Sequence, residues 1–431
     1  MARKIYEHDK AYSLLRFVTD AHILSSFRRY RFVGRDKLPK DGPIIYAPNH
    51  CDALMDPLTV LTLNHDDKVF VARADVFNNG FIHKILTFFK MMPINRRRDG
   101  LRNMTRTAET IDKSIDVLAN GVDFCILPEG THRSMHSLLP IGKGIARIAC
   151  GAAARMPEGT PLYIVPVGIE YGDYYRFRNT MLAQIGEAIN VTELLSSNAQ
   201  MSEKEAMDLI RAKVGEGIKE KIVYINDDED YDAVWELSRI ESGKIPGVNL
   251  IKRFKANKAA VAKVTRFHEE QPQAAQRLYD RARAFEKQRL AAKVSLGSLH
   301  RNRSGIKALL CTLLAIVTLP IFLVAATVSL PIWVASELLV RNLEDRTFCN
   351  SFRCVVITFG WTLLLIIWAI VLLCCLKWYW ALLAIATIVP APYAVYDYFE
   401  LVRMTASHWR CLFNKKLRTQ YNNIADELKK I

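Results

Sequence analysis

A histidine and two aspartates crowd into one short segment, APNHCDALMDP at residues 47–57, directly after a run that predicts a buried strand. Such a cluster is the minimum for general-base chemistry. An imidazole takes the proton of an attacking hydroxyl, and a carboxylate fixes the tautomer and stabilises the imidazolium. His50 is the candidate base, with Asp56 or Asp52 as its orienter. A second loop, Glu129-Gly130-Thr131 in LPEGTHRS (127–134), also follows a predicted buried strand. Backbone N–H groups and a small residue there let a substrate approach closely. Cys51 and Cys125 lie beside these loops but read as buried thiols, because the only cation fixed near them is the histidine already assigned.

Other chemistries fit the residues poorly. Gly142-Lys143-Gly144 begins like a nucleotide-binding loop, yet Arg147 stands where the third glycine belongs and no Ser/Thr follows the lysine. His132 and His136 have one-turn spacing without the glutamate of HExxH, which argues against zinc. The sequence has no Gly-x-Ser-x-Gly elbow, against an α/β-hydrolase. None of the nine cysteines forms a Cys-x-x-Cys pair, so neither a zinc site nor a disulfide framework is indicated. Their scatter suits a reduced compartment.

The elements that must hold these residues alternate. PIIYAPN (43–49), KVFVAR (68–73), DFCILPEG (123–130) and PLYIVPVGIEY (161–171) predict buried parallel strands, with helices over 101–119 and 143–154 between them. The expected fold is α/β, a mostly parallel sheet flanked by helices, with working loops at the strands' C-terminal ends. Residues 11–29 alternate apolar and basic positions and predict an amphipathic helix, interfacial or packed on the next domain. The charged start carries no apolar run of the kind a cleaved signal needs. Residues 201–223 and 255–293 read as charged helices, the second broken at Pro272.

Four blocks, PNH…DP (48–57), PINRRR (93–98), LPEGTHRS (127–134) and VPVGIEY (165–171), resemble in order and spacing those of the glycerolipid acyltransferase superfamily. That group includes the lysophosphatidate and glycerol-3-phosphate acyltransferases, and its blocks read approximately NHxxxxD, FIxR, FPEGTRS and a Val-Pro-Val/Ile strand. The likeness covers residues 30–190 or so, under half of the chain. It implies that His50 and Asp56 activate an acceptor hydroxyl against an acyl thioester, with no metal, cofactor or acyl-enzyme. It implies a catalytic place for Glu129, orienting acceptor hydroxyls or Arg133. Arg96 would bind the acceptor's phosphate with its forked donors, with Gly130, Thr131 and Arg133 completing the pocket and Arg97 and Arg98 assisting. Two departures stand out. The spacing is His-x5-Asp, which makes Asp56 the equivalent aspartate if the loop holds one extra residue. His132 is inserted between Thr131 and Arg133.

Composition sets the surroundings. The 431 residues are 50% hydrophobic and 24% charged, excluding wholesale disorder and a disulfide miniprotein. Fifty-nine Lys/Arg against 44 Asp/Glu give +15, which favours anionic partners. The cations flank apolar runs instead of forming an aromatic-interleaved stripe, so lipid is favoured over nucleic acid. Residues 308–336, 354–376 and 378–396 are apolar runs of membrane length, the last following Lys377 in the cluster LKWYW, whose aromatics suit a headgroup interface.

The expected organisation is an N-terminal helix (1–30), a catalytic domain (31–225), a charged helical connector (226–304), a membrane domain (305–402) and a basic cytosolic tail (403–431). Basic residues in 341–353 and 403–431 place both segments on the cytosolic side with the catalytic domain, as in a bacterial inner membrane or its equivalent. That pattern predicts two crossings, at 354–376 and 378–399. It also predicts that 306–340, broken at Pro320 and Pro331, enters and leaves by one face. The expected activity is membrane O-acyl transfer from acyl-CoA or acyl carrier protein to a glycerol phosphate. The first acceptor is 1-acyl-glycerol-3-phosphate, giving phosphatidate; glycerol 3-phosphate or another lyso-lipid follows. The alternative of another class is a non-catalytic membrane scaffold with this fold.

Overall fold

The computed structural model describes residues 4–94, 104–243, 248–300 and 304–431. Two compact units emerge: residues 1–222 with 344–354, and residues 223–343 with 355–431.

The first unit is built on an eight-stranded sheet. Its strands are β1 (Arg29–Val33), β2 (Ile44–Pro48), β3 (Lys68–Arg73), β4 (Met91–Ile94), β5 (Asp123–Cys125), β6 (Tyr163–Tyr171), β7 (Thr180–Ile185) and β8 (Ile189–Asn190). The order is β1-β7-β6-β2-β5-β3-β4, with β8 on β6. β2, β3, β4, β5 and β6 run parallel; β7 pairs antiparallel with β6 and carries β1 alongside it. The expected mostly parallel α/β sheet is therefore present, with an antiparallel turn at one side that the apolar runs did not announce. β2 is central and every residue in it is buried, which accounts for its unbroken apolar sequence.

Helices α1 (Lys10–Ser25), α2 (Met55–Leu61), α3 (Gly80–Phe88), α4 (Met104–Ala119), α5 (Lys143–Ala153), α6 (Val191–Ser197) and α7 (Glu203–Lys221) connect and cover the strands. α5 turns Ile145, Ala146, Ile148, Ala149 and Ala152 inward, the three-and-four spacing of one helical face. Ser202 and Glu205 close a capping box that starts α7. The end of α7 crosses β6 at Gly168, where a Cβ would fall 2.4 Å from the Lys221 carbonyl oxygen. α1 packs in an unexpected way. Its Arg16 is buried and donates to the carbonyls of Asn64 (2.6 Å) and Asp66 (2.7 Å), beyond the end of α2, while Leu14 and Phe17 stay exposed.

The second unit begins with α8 (Tyr231–Ser242), α9 (Leu250–Glu270), α10 (Pro272–Ala291) and α11 (Leu296–His300). These charged helices are not a strung-out connector. Leu237, Val264, Leu278 and Phe285 share a core with Ile424 and Leu428 of α17 (Lys415–Leu428), so segments 226–304 and 403–431 fold together. Glu236 and Arg289, both buried, pair through two hydrogen bonds at 2.8 and 3.0 Å.

The apolar tract forms α12 (Ser304–Arg341), α13 (Cys349–Val356), α14 (Thr362–Cys375), α15 (Trp378–Ile388) and α16 (Ala391–Phe413). Gly305–Arg341 and Arg346–Cys375 are long and apolar enough to cross a bilayer, and α15 with α16, bent by 41°, would make a third span if counted as one. Here a sequence expectation fails. Pro320 and Pro331 lie inside one continuous helix of 38 residues, not in a hairpin or two short helices. A proline removes one backbone N–H and frees a carbonyl one turn earlier. One residue from the Thr327 carbonyl that Pro331 frees, the Trp368 indole N–H donates to the Val328 carbonyl at 3.1 Å and ties this turn to α14.

Candidate active site

The site lies where β2, β5 and β6 end, at the C-terminal edge of the parallel strands. After β2 the chain is seized by its own asparagine. Asn49 Oδ1 accepts from the Ile169 amide (2.7 Å) and its Nδ2 donates to the Ile169 carbonyl (3.0 Å), fastening the loop to β6. In the sequence, Asn49 stands inside the PNH motif with no chemistry of its own to mark it. The next residue, His50, directs Nδ1 at Asp56 Oδ2 across 2.8 Å. Asp56 is fully buried, and the same oxygen accepts the backbone N–H groups of Cys51 (2.8 Å) and Asp52 (2.9 Å). A carboxylate so held keeps the Nδ1 proton and leaves Nε2 as the basic atom.

The extra residue of His-x5-Asp is taken up in a turn. Met55 N–H donates to the Asp52 carbonyl at 2.8 Å, and Ala53 adopts a left-handed conformation at φ +43°. A left-handed alanine costs roughly 1–2 kcal/mol, so the packing around the loop must hold it there. Asp52 points away from this pair. It is buried and takes the side-chain N–H of Asn350 at 3.1 Å. Burial, reinforced by the charge of Asp56, pushes its carboxyl well above the ordinary carboxylate range. Of the two aspartates left open by the sequence, Asp56 is the one beside the histidine.

Glu129 binds the backbone of His50. Its Oε1 accepts the His50 amide at 2.6 Å and its Oε2 the Leu139 amide at 2.7 Å. Burial lifts its pKa despite those two bonds. The loop after β5 is stitched to the His50 loop twice more. Arg133 N–H donates to the His50 carbonyl at 3.0 Å, and the Ser134 hydroxyl to the Cys51 carbonyl at 3.1 Å. Gly130 is left-handed (φ +71°), with open space where a Cβ would stand. Thr131 continues that loop, and the Arg133 guanidinium reaches Ser137 Oγ at 2.8 Å. His132 and His136 part company: His132 Nε2 meets Asp345 Oδ2 at 3.0 Å, His136 Nδ1 meets Glu170 Oε2 at 3.1 Å. Cys51 and Cys125 are buried, and burial drives both thiols upward, so neither is poised as a thiolate. Arg96, with Arg97 and Arg98, lies outside the described residues.

The structure thus brings His50, Asp56, Glu129, Gly130 and the backbone of Arg133 to one point. Such an arrangement can take a proton from a hydroxyl at Nε2 and return it to a leaving group.

An α/β domain with a hydrogen-bonded histidine–aspartate pair in the loop after a central strand is the class that fold and site define. Residues 29–170 match the family model described as Acyltransferase. Among solved structures, the chain is similar to the 1-acyl-sn-glycerophosphate (LPA) acyltransferase PlsC from Thermotoga maritima. The identity is 19%, the likeness covers 48% of this chain and 78% of that one, and the TM-score is 0.34. Comparison with curated proteins gives no match.

Proposed function

We propose that this protein transfers a fatty acyl group from acyl-CoA or acyl carrier protein to the free hydroxyl of a glycerol phosphate, foremost 1-acyl-glycerol-3-phosphate, giving phosphatidate. The observation that carries the reading is the 2.8 Å approach of His50 Nδ1 to the buried Asp56, inside the segment that matches the acyltransferase model. His50 Nε2 takes the hydroxyl proton as the acceptor oxygen attacks the thioester carbonyl. The tetrahedral intermediate collapses, the C–S bond breaks, and the departing thiolate receives the proton from His50. Atoms balance without a metal, an oxidant or an acyl-enzyme.

Arg96 is assigned to the acceptor phosphate on its place in PINRRR, with Gly130, Thr131 and Arg133 lining the approach. A lipid acceptor also suits the apolar side chains exposed on the catalytic unit, among them Leu14, Phe17, Phe81 and Ile82. The apolar helices that follow would keep the enzyme at the membrane, with His50 on the cytosolic side where thioester donors are found. Thiol release by the purified protein, measured against lysophosphatidate, glycerol 3-phosphate and other lyso-lipids, tests the proposal. The highest kcat/KM is expected with lysophosphatidate. Activity confined to glycerol 3-phosphate would reassign the acceptor, and no transfer to any of them would reject the reading.

A further inference from the structure

Both departures from the acyltransferase pattern meet the same distant piece of chain. The lengthened His50–Asp56 loop and the inserted His132 each touch residues 344–354, which lie between two apolar helices in the sequence but belong to the catalytic unit. Asn350 donates to Asp52 Oδ2 at 3.1 Å and to the Tyr174 carbonyl at 2.7 Å, and the Leu54 amide donates to Ser351 Oγ at 3.1 Å. Those two contacts fall either side of left-handed Ala53 and hold the strained turn in place. Asp345 divides its carboxylate. Oδ1 takes the amide (2.9 Å) and hydroxyl (2.6 Å) of Thr347, and Oδ2 faces His132 Nε2 at 3.0 Å. His132 in turn stands edge-on to the His50 ring, centroids 5.2 Å apart, with Phe348 against it at 5.1 Å. Such edge contacts fix a ring's orientation.

We propose that residues 344–354 are a working part of the active site, in which Asp345 is a positioning residue that holds His132, and through it the His50 imidazole, in register with the acceptor. The inference rests on the acyl-transfer reading for its kinetic test but not for its chemical one. Asp345 has a half-exposed side chain, so its substitution opens no cavity in the core.

In the full-length protein, Asp345→Ala and His132→Ala should each lower kcat, while the KM values for donor and acceptor stay put. Loss of one charge-assisted hydrogen bond corresponds to roughly ten- to a hundredfold. The double variant should fall no further than His132→Ala alone, because the two act in series. A second measurement needs no turnover: carbethoxylation of His50 by diethyl pyrocarbonate, resolved by mass spectrometry, should quicken about tenfold in Asp345→Ala as the ring loses its support. Wild-type kcat in an active Asp345→Ala enzyme would overturn the inference and leave acyl transfer standing. Were the wild-type protein to transfer nothing, that function would fall, and the labelling would still decide. Unchanged His50 reactivity refutes the positioning role, and a faster reaction supports it.

Discussion

The carboxylate of Glu129 accepts the main-chain amide of His50 at 2.6 Å, while its other oxygen accepts that of Leu139 at 2.7 Å. The glutamate of the third motif is therefore bound to the histidine of the first through the backbone. Two loops that follow different strands are tied together, and this sets the position of His50.

Removing that tie should damage both geometry and stability. Glu129→Gln keeps one acceptor but turns an amide N–H group toward a backbone donor. Its kcat is expected to drop roughly ten- to a hundredfold, on the usual worth of hydrogen bonds to charged groups. The melting temperature should drop with it, whereas His50→Ala should leave the melting temperature unchanged. Parallel thermal-unfolding and turnover measurements check the pair. A Glu129→Gln protein that melts like wild type yet turns over slowly would point to direct contact with substrate.

Asp52 should behave in the opposite sense to Asp56. Burial and the Asp56 charge raise its folded pKa above the value of about 3.9 for an unfolded chain. Its contribution to stability is then complete below pH ~4 and is lost as pH climbs through the raised folded value, because the unfolded state ionises first. Asp52→Asn has no such loss. Denaturant midpoints should move in favour of the Asn variant from pH 4 toward pH 7, with turnover near wild type. A midpoint difference that does not vary with pH would contradict the raised pKa of Asp52.

Arg96→Ala tests the phosphate assignment. Loss of a bidentate contact worth about 1.5–3 kcal/mol should raise acceptor KM roughly ten- to a hundredfold. Donor KM should hardly change. An unaltered acceptor KM would move the phosphate to another cation.

The continuity of α12 alters the expected membrane path without reversing the charge argument. Residues 344–354 belong to the catalytic unit, and among the described residues no helix of segment 223–303 is apolar and long enough to cross a bilayer. Both ends of α12 should then face the cytosol, and a helix of about 57 Å cannot turn back within itself. It is expected to lie along the membrane, with α14 crossing and Lys377 on the far side. Single cysteines at Lys307 and Asn342 in a cysteine-free background should label only from the cytosolic side, and one at Lys377 only from outside. External labelling at Lys307 or Asn342 alone would establish α12 as a true crossing.

Much of the catalytic unit was legible because its signals are local. β2, β3, β5 and β6 are short, apolar and bounded by turns, and His50 and Asp56 stand within one loop. What escaped depended on distant pairing. β1, with exposed Arg29, Tyr30 and Arg31, joins the sheet only through β7, and β7 reverses direction against β6. The core of α8–α10 includes residues of α17 more than a hundred positions later, so periodicity displayed a charged face and concealed the partner. Asp345 and Asn350 carry no local mark of their place beside His132 and Asp52. Proline inside α12 misled because the rule for water is relaxed where neighbouring helices pack against the turn, as Trp368 of α14 does at Val328.

The central claim is that His50, held by Asp56, removes the acceptor's proton. The most direct measurement is steady-state thiol release from an acyl thioester with lysophosphatidate, comparing wild type with His50→Ala and Asp56→Asn at equal membrane insertion. General-base loss predicts turnover lower by about 10²–10⁴ for His50→Ala. Asp56→Asn should lose a comparable amount, because the amide cannot stabilise the imidazolium. His50→Ala turning over at near the wild-type rate would contradict the mechanism outright.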